Sequence, residues 1–160
     1  MQKSRPAIAA CLVLFALPAW SEGGGGGGGG GGVVDIVPAD PDYVAGEQAV
    51  KKQDWPEALA RMNAVVQRDP KNADAWNYMG YAYRHLGDMD NSFKYYQRAL
   101  QIRPKHRGAH EYMGEAYLQV GQLAPAEEHL KALDKICWLP CEEYRDLKKK
   151  IENYKRDHPN

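Results

Sequence analysis

The stretch Ala73 to His106, ADAWNYMGYAYRHLGDMDNSFKYYQRALQIRPKH, decides the fold of this 160-residue chain. Apolar residues recur three and four positions apart in two segments, 73–85 and 90–102, and this spacing predicts two amphipathic helices. Gly87 separates the helices and Pro104 ends the second one, since glycine and proline interrupt helical patterns. Neither apolar stripe is covered within one such hairpin, so the hairpin must stack on further copies of itself.

The two predicted helices carry small residues where they would touch. Trp76, Met79 and Tyr83 form the apolar stripe of the first helix. Gly80 and Ala82 lie beside this stripe, and their missing or minimal side chains predict a close approach by the second helix. The second helix has its own apolar stripe, which would pack against the first helix and consists of Phe93, Tyr96, Ala99 and Leu100.

The chain matches itself when it is shifted by 34 residues. The matching positions include Gly46, Gly80 and Gly114; Ala58, Ser92 and Ala126; and Pro70 and Pro104. A helix-turn-helix unit of 34 residues has the length of the tetratricopeptide repeat, and the central unit resembles that family. The resemblance implies an all-α solenoid of helical hairpins, with three repeats at 39–72, 73–106 and 107–140, a C-terminal capping helix at 141–156 and a tail at 157–160.

The first 21 residues are typical of a secretory signal peptide. Lys3 and Arg5 precede an apolar run from Ala7 to Leu17, and small residues precede a predicted cleavage site after Ser21. We therefore predict a periplasmic or secreted protein. Lipidation at Cys11 is an alternative, but most of the apolar run follows this cysteine, whereas a lipoprotein box ends its apolar region. An uncleaved anchor is a second alternative, but the run is short for a membrane span.

Residues 22–38 are predicted to form a flexible linker, because Gly23 to Gly32 are ten consecutive glycines. The mature chain would carry 19 basic and 21 acidic residues, a formal charge of −2, since only Lys3 and Arg5 leave with the signal peptide. Its one basic cluster, Lys148 to Lys150, is matched by nearby acids. This charge pattern disfavours nucleic acid as a partner, and we expect no stable membrane insertion after cleavage.

Cys137 and Cys141 are the two cysteines of the predicted mature chain. In an exported protein, an even pair this close predicts a disulfide, here between the third repeat and the capping helix. A thiol redox or metal-linked role is the alternative, although catalytic pairs usually have two intervening residues. Haem attachment is excluded because Glu142, not a histidine, follows the second cysteine.

His106 and His110 have the i, i+4 spacing of two metal ligands on one helical face. However, His106 falls in the loop before a helix and His110 falls at a repeat core position, so we favour structural roles. The chain also has no phosphate-binding glycine loop and no nucleophile elbow. We therefore predict a protein that is not an enzyme and that has neither a cofactor nor a metal.

The resemblance implies a binding groove lined by the first helix of each repeat, at repeat positions two, five, nine and twelve. In this chain those positions are Tyr43, Glu47, Val50, Asp74, Asn77, Tyr81, Arg84, Gly108, Glu111, Glu115 and Leu118. Tyrosine and arginine are enriched at interface hot spots, which favours a groove for a partner over the alternative of a plain solvated face.

One type of ligand is disfavoured by the same positions. Some relatives clamp a C-terminal carboxylate with lysine, asparagine and arginine, whereas Tyr43, Glu47, Gly108 and Tyr112 occupy the corresponding places here. The acidic residues favour a ligand with basic or neutral polar groups. The resulting hypothesis is a periplasmic adaptor or assembly factor that binds a segment of another protein. A thiol or metal-linked protein using Cys137 and Cys141, and a structural subunit that self-associates, are the alternatives.

Overall fold

The computed structural model describes residues 40–159, which form seven α-helices. The helices are α1 (Pro41–Lys51), α2 (Trp55–Arg68), α3 (Ala73–His85), α4 (Met89–Ile102), α5 (Arg107–Gln119), α6 (Leu123–Ile136) and α7 (Glu142–Asp157). The predicted signal peptide, the alternative lipidation of Cys11 and the glycine-rich linker lie outside the described residues. None of the seven helices is both long enough and apolar enough to cross a membrane.

The first five helices begin at side chains that accept a hydrogen bond from the backbone of the first turn. These N-caps are Asp40, Asp54, Asn72, Asp88 and His106. Each cap satisfies an N–H group that the helix itself leaves without a partner. The sequence therefore sets the start of each of these helices locally.

The turn inside each hairpin uses a left-handed backbone conformation at the same repeat position. The residues at this position are Gln53, Gly87 and Gly121, with φ angles of 60°, 81° and 76°. Glycine adopts this conformation without a steric penalty, whereas glutamine has a Cβ atom that opposes it. The first of the three turns is therefore strained in a way that the other two are not.

The repeated glycines allow close contacts between helices. A Cβ atom on Gly46 would lie 2.7 Å from Met62, and one on Gly80 would lie 2.6 Å from the ring of Tyr96. At Gly114 the close neighbour is Leu147 of α7, again at 2.6 Å, and not a residue of α6. The prediction that Gly80 allows the second helix to approach closely is confirmed. In the third repeat, Gly114 allows the capping helix to approach closely instead.

Helix α7 takes the place of the first helix of a further hairpin. It packs against α5 and α6 as α3 packs against α1 and α2. Leu147 and Ile151 are buried on its inner face, while the charged residues of its outer face remain exposed. This arrangement confirms the predicted all-α solenoid of helical hairpins with a capping helix.

The connection between α6 and α7 is closed by the predicted disulfide. The sulfur atoms of Cys137 and Cys141 are 2.10 Å apart. Within this loop Trp138 is 99% exposed and Leu139 is 77% exposed. The loop thus presents two large apolar side chains to solvent.

Candidate functional site

The first helices of the hairpins and the capping helix form one face of the solenoid. Helix α3 contacts α1 and α5, and α5 contacts α7, so α1, α3, α5 and α7 lie side by side. We call the surface that they line the groove. The groove residues that the resemblance implied all lie on α1, α3 and α5. Several of these residues are buried, whereas the residues of an open contact surface would be exposed to solvent.

Tyrosines link the first helices across the groove. The rings of Tyr43 and Tyr78 meet edge to face with centroids 6.0 Å apart, and the Tyr78 hydroxyl donates a hydrogen bond of 3.0 Å to Glu47. Burial, with smaller effects from Asp74 and Glu47, raises the pKa of Tyr43 to about 12. The Tyr43 hydroxyl therefore keeps its proton at neutral pH.

Arg84 is the centre of a buried ion-pair cluster further along the groove. Its guanidinium lies 2.9 Å from Glu115 and over the rings of Tyr81 and Tyr112, at 5.2 and 6.0 Å from their centroids. Lys150 of α7 forms a second ion pair with Glu115. Two cations therefore compensate one buried carboxylate, and Arg84 joins α3 to α5.

Glu111 lies one helical turn before Glu115 and has no such compensation. It is 8% exposed, and no ion pair or side-chain hydrogen bond to another of residues 40–159 reaches its carboxyl group. Burial, followed by the charges of Glu115 and Asp146, raises its pKa to about 8, against a smaller opposing effect of Lys150. Glu111 is thus mostly uncharged at neutral pH, unlike an ordinary surface glutamate.

Asn77 provides a second polar group without a partner. It is 5% exposed, and its Oδ1 atom is buried with no hydrogen-bond partner in the described part of the chain. Its Nδ2 atom lies 3.5 Å from the position that a Cβ atom on Gly108 would occupy. A Cβ atom on Gly108 would therefore be in ordinary van der Waals contact with Asn77, and also with the ring of His106.

Asp74, another of the predicted groove residues, is occupied by contacts within the chain. Its carboxylate lies 2.7 Å from Arg103 and 3.1 Å from Nε2 of His106. The hydrogen bond from His106, and then that from Arg103, lowers the pKa of Asp74. The Nδ1 atom of His106 accepts the backbone N–H of Ala109 and so caps α5. Asp74 therefore fixes the α4–α5 connection to α3.

The two histidines with metal-ligand spacing do not converge. His110 contacts the Pro104 carbonyl through Nε2 at 3.0 Å and Nδ1 of His129 through its own Nδ1 at 2.9 Å. His106 instead contacts Asp74 and Ala109. Among residues 40–159, no three histidine, cysteine, aspartate or glutamate side chains are grouped to hold a metal ion.

The end of the groove near α7 contains a hollow of about 300 Å³. Its lining includes Arg84, Glu115, Leu118, Lys150 and Asn153. The predicted site contained no residue of α7, because the 34-residue repeat ends before that helix. Lys150 reaches Glu115 only because α7 packs against α5. Tyr78 and Tyr112 were also not predicted as groove residues. The sequence did contain a usable signal for them, because neither tyrosine occupies a core position of the repeat.

Two family models described as tetratricopeptide repeat match the sequence, one at residues 43–107 and the other at residues 86–151. Together they span more than half of the chain, which belongs to the tetratricopeptide repeat family. No curated protein sequence matches it.

Solved structures show the same fold. The TPR2B domain of yeast Sti1 is 19% identical with a TM-score of 0.66, covering 73% of this chain and 95% of that domain. The translocator chaperone SycD of Yersinia enterocolitica is 20% identical with a TM-score of 0.64, covering 81% and 96%. MamA of MSR-1 is 25% identical with a TM-score of 0.54, covering 59% and 55%.

Proposed function

We propose that this protein is an exported, non-catalytic adaptor or assembly factor that binds a segment of a partner protein in the groove. The observation that carries the proposal is the Oδ1 atom of Asn77 on the first-helix face, which is buried and has no hydrogen-bond partner among residues 40–159. Buried polar groups are normally hydrogen-bonded, so unpartnered groups at a binding face favour a ligand that satisfies them.

Structures with the same fold support a peptide as the ligand. The Sti1 domain was solved in a complex with pHsp70, the first repeat domain of Spaghetti (RPAP3) with the HSP90 peptide SRMEEVD, and SycD with a peptide of the translocator YopD. The groove of this chain differs in chemistry from a carboxylate clamp, because Tyr43, Glu47 and Gly108 replace the required cations and amide. We therefore infer a partner segment that docks without relying on a C-terminal carboxylate.

The location belongs to the same proposal. The predicted signal peptide directs the chain out of the cytoplasm, and a structural disulfide between Cys137 and Cys141 suits an oxidising compartment. Cell fractionation, with N-terminal sequencing of the purified protein, tests this part. A mature protein that begins after Ser21 and leaves the cytoplasm supports export, whereas an intact cytoplasmic chain contradicts it.

Crosslinking in cells followed by mass spectrometry tests the groove. We would compare the wild type with Glu47→Lys, which reverses a charge in the groove, and with Glu128→Lys, which reverses an exposed charge on α6. Loss of one partner from Glu47→Lys but not from Glu128→Lys supports the groove. Equal capture by all three proteins, at unchanged helical circular dichroism, contradicts it.

Self-association is the second candidate function, and the exposed Trp138 and Leu139 favour it. Large apolar side chains held in a closed loop are typical of contact sites. Sedimentation velocity over a hundredfold range of concentration tests this function with the Trp138→Ser variant as the comparison. A dimer that the substitution dissociates supports it, and a monomer at every concentration contradicts it.

A further inference from the structure

The tyrosines of the first helices form a connected row in the groove. The rings of Tyr43 and Tyr78 meet with centroids 6.0 Å apart, and those of Tyr81 and Tyr112 meet at 4.8 Å. Tyr78 and Tyr81 are three residues apart on α3 and therefore lie on the same side of that helix. Tyr112 is also among the electrostatic neighbours of Tyr78, so the two pairs adjoin. We call these four residues, which lie on α1, α3 and α5, the tyrosine row.

The tyrosine row covers the core and remains partly exposed. Tyr43 and Tyr78 pack on one buried cluster, and Tyr81 and Tyr112 pack on another. Each of the four keeps part of its surface in solvent, whereas Tyr96 of α4 is fully buried. Because each ring is held by the core and by a neighbouring ring, the row is a preformed aromatic surface that loses little conformational entropy on binding.

Most hydroxyl groups of the tyrosine row are free to donate. The Tyr78 hydroxyl donates a hydrogen bond of 3.0 Å to Glu47. The hydroxyls of Tyr43, Tyr81 and Tyr112 make no hydrogen bond with another of residues 40–159. Burial raises the pKa of Tyr43 and that of Tyr112 to about 12, so both hydroxyls are protonated at neutral pH. The row therefore combines apolar ring surface with three free donors.

Charged residues of the groove are engaged in contacts within the chain. Asp74 pairs with Arg103, and Glu115 pairs with Arg84 and Lys150. A charged ligand group would have to compete with these ion pairs, whereas a neutral ligand leaves them in place. The groove therefore favours a neutral segment at the tyrosine row.

We propose that the tyrosine row binds a proline-rich part of the partner segment in the polyproline II conformation. This inference rests on the proposed function and specifies the chemistry of its ligand. A proline residue presents an apolar ring and a carbonyl acceptor but no N–H group, and polyproline II has no internal hydrogen bonds. The proline rings would pack against the tyrosine rings, and the carbonyls would accept the free hydroxyl donors. Polyproline II segments are commonly recognised by aromatic-lined grooves.

Other conformations of a partner segment match the tyrosine row less well. An α-helix uses its carbonyls internally, so a docked helix would cover the free hydroxyls without giving them acceptors. An extended strand presents backbone N–H groups as well as carbonyls, and a surface made of helices has no free backbone edge to pair with both. Polyproline II is already populated in a free proline-rich segment, which lowers the entropic cost of binding.

A phage-displayed library of random nine-residue peptides tests the preference on the mature protein. Selections would use the wild type, Glu47→Lys as a groove variant, the triple variant Tyr43→Phe, Tyr81→Phe, Tyr112→Phe, and the matched control Tyr95→Phe on α4. The phenylalanines keep the rings and remove the hydroxyl donors. We expect the wild type and the control to select proline at positions three residues apart, because polyproline II repeats every three residues. The triple variant should lose most of this enrichment.

Titration with a peptide of nine prolines then measures the contact itself. The triple variant should bind this peptide about tenfold or more weakly than the wild type, because three hydrogen bonds are lost. Tyr95→Phe should change the affinity less than about twofold. The single variant Tyr112→Phe, with an expected loss of about threefold, serves as the test if the triple variant melts at a lower temperature than the wild type.

The outcomes separate this inference from the proposed function. Selected peptides that are sensitive to Glu47→Lys but carry no proline preference overturn the proline site and leave the groove standing. Affinity for the proline peptide that the tyrosine variants leave unchanged, or no binding of it at about 1 mM, does the same. If the library yields no peptide and the proline peptide does not bind, or if all binding is insensitive to every groove variant, both proposals are overturned.

Discussion

The ring of Tyr96 lies directly over Gly80, so close that a Cβ atom on the glycine would be 2.6 Å from Cδ1 of the ring. Tyr96 is fully buried, and Ser92 on the same helix donates a hydrogen bond of 2.9 Å to the Gly80 carbonyl. The central hairpin is therefore held together at one point where side chain and backbone are both in contact. This point is part of the repeat, since Gly46 has the same relation to Met62.

We expect Gly80→Ala to destabilise the protein by about 1–3 kcal/mol, because the tyrosine ring has no free space to move into. Urea unfolding followed by circular dichroism measures the change. Gly108→Ala is the matched control, since a Cβ atom there has no neighbour closer than 3.5 Å and alanine favours a helix. A Gly80→Ala variant as stable as Gly108→Ala would show that the two helices of the central hairpin separate more easily than the structure indicates.

Replacing Gln53 should have the opposite effect. Gln53→Gly is expected to stabilise the protein by about 0.5–1 kcal/mol, because glycine accepts the left-handed conformation that glutamine opposes. The larger freedom of glycine in the unfolded chain offsets part of the gain. The reciprocal change, Gly87→Gln, should destabilise the protein, and equal stability of both variants would contradict the assignment of strain to this turn.

Glu111→Gln should make the free protein more stable at alkaline pH. The folded-state pKa of about 8 lies above the ordinary value of 4.5, so the wild type loses stability as pH rises from 4.5 through 8. The glutamine variant does not titrate and should gain on the order of 1–3 kcal/mol over the wild type at pH 8. Thermal unfolding at pH 4.5 and pH 8 measures the difference, and a gain of the same size at both pH values would contradict it.

The contact between His110 and His129 should make stability depend on acid. Burial, and then the charge of His110, lowers the pKa of His129 from its ordinary 6.5 to about 4, and burial also lowers the pKa of His110. The proton therefore binds the unfolded chain more readily, and this contribution to stability falls as pH drops from 6.5 to 4.

The variant His129→Phe keeps an aromatic ring beside Tyr117 and removes the titrating group. We expect its melting temperature to change less than that of the wild type between pH 6.5 and 4. His158→Gln is the control, since His158 is exposed at the end of α7. A wild-type melting temperature that is level over this range would rule out the proposed role of the histidine pair.

Much of the fold followed from local signals. The boundaries of α3 were predicted to the residue, and α4 begins at Met89, one residue before the predicted start. Asp40 and Asp54 cap α1 and α2 through hydrogen bonds to the backbone of the first turn. These features depend on a few neighbouring residues, which is why one sequence suffices to predict them.

The groove was predicted less completely, because a repeat frame gives positions but not partners. It placed Asp74 and Arg84 on the groove side, and the structure shows both in ion pairs within the chain. The partners, Arg103 and Glu115, lie 29 and 31 residues away, and no local pattern specifies such a contact. Which groove residues remain open for a partner is therefore a tertiary property.

The sequence by itself determined the helices, the hairpin period and the family, because each is encoded by residues close together in the chain. Tertiary structure decided that α7 brings Lys150 to Glu115, that Glu111 is buried and that the Oδ1 atom of Asn77 is buried without a hydrogen-bond partner among residues 40–159. The physical reason is that burial and charge compensation depend on all the helices that surround a group. Those helices come from distant parts of the chain, and only their packing sets the charge state and the vacant hydrogen bonds of the groove.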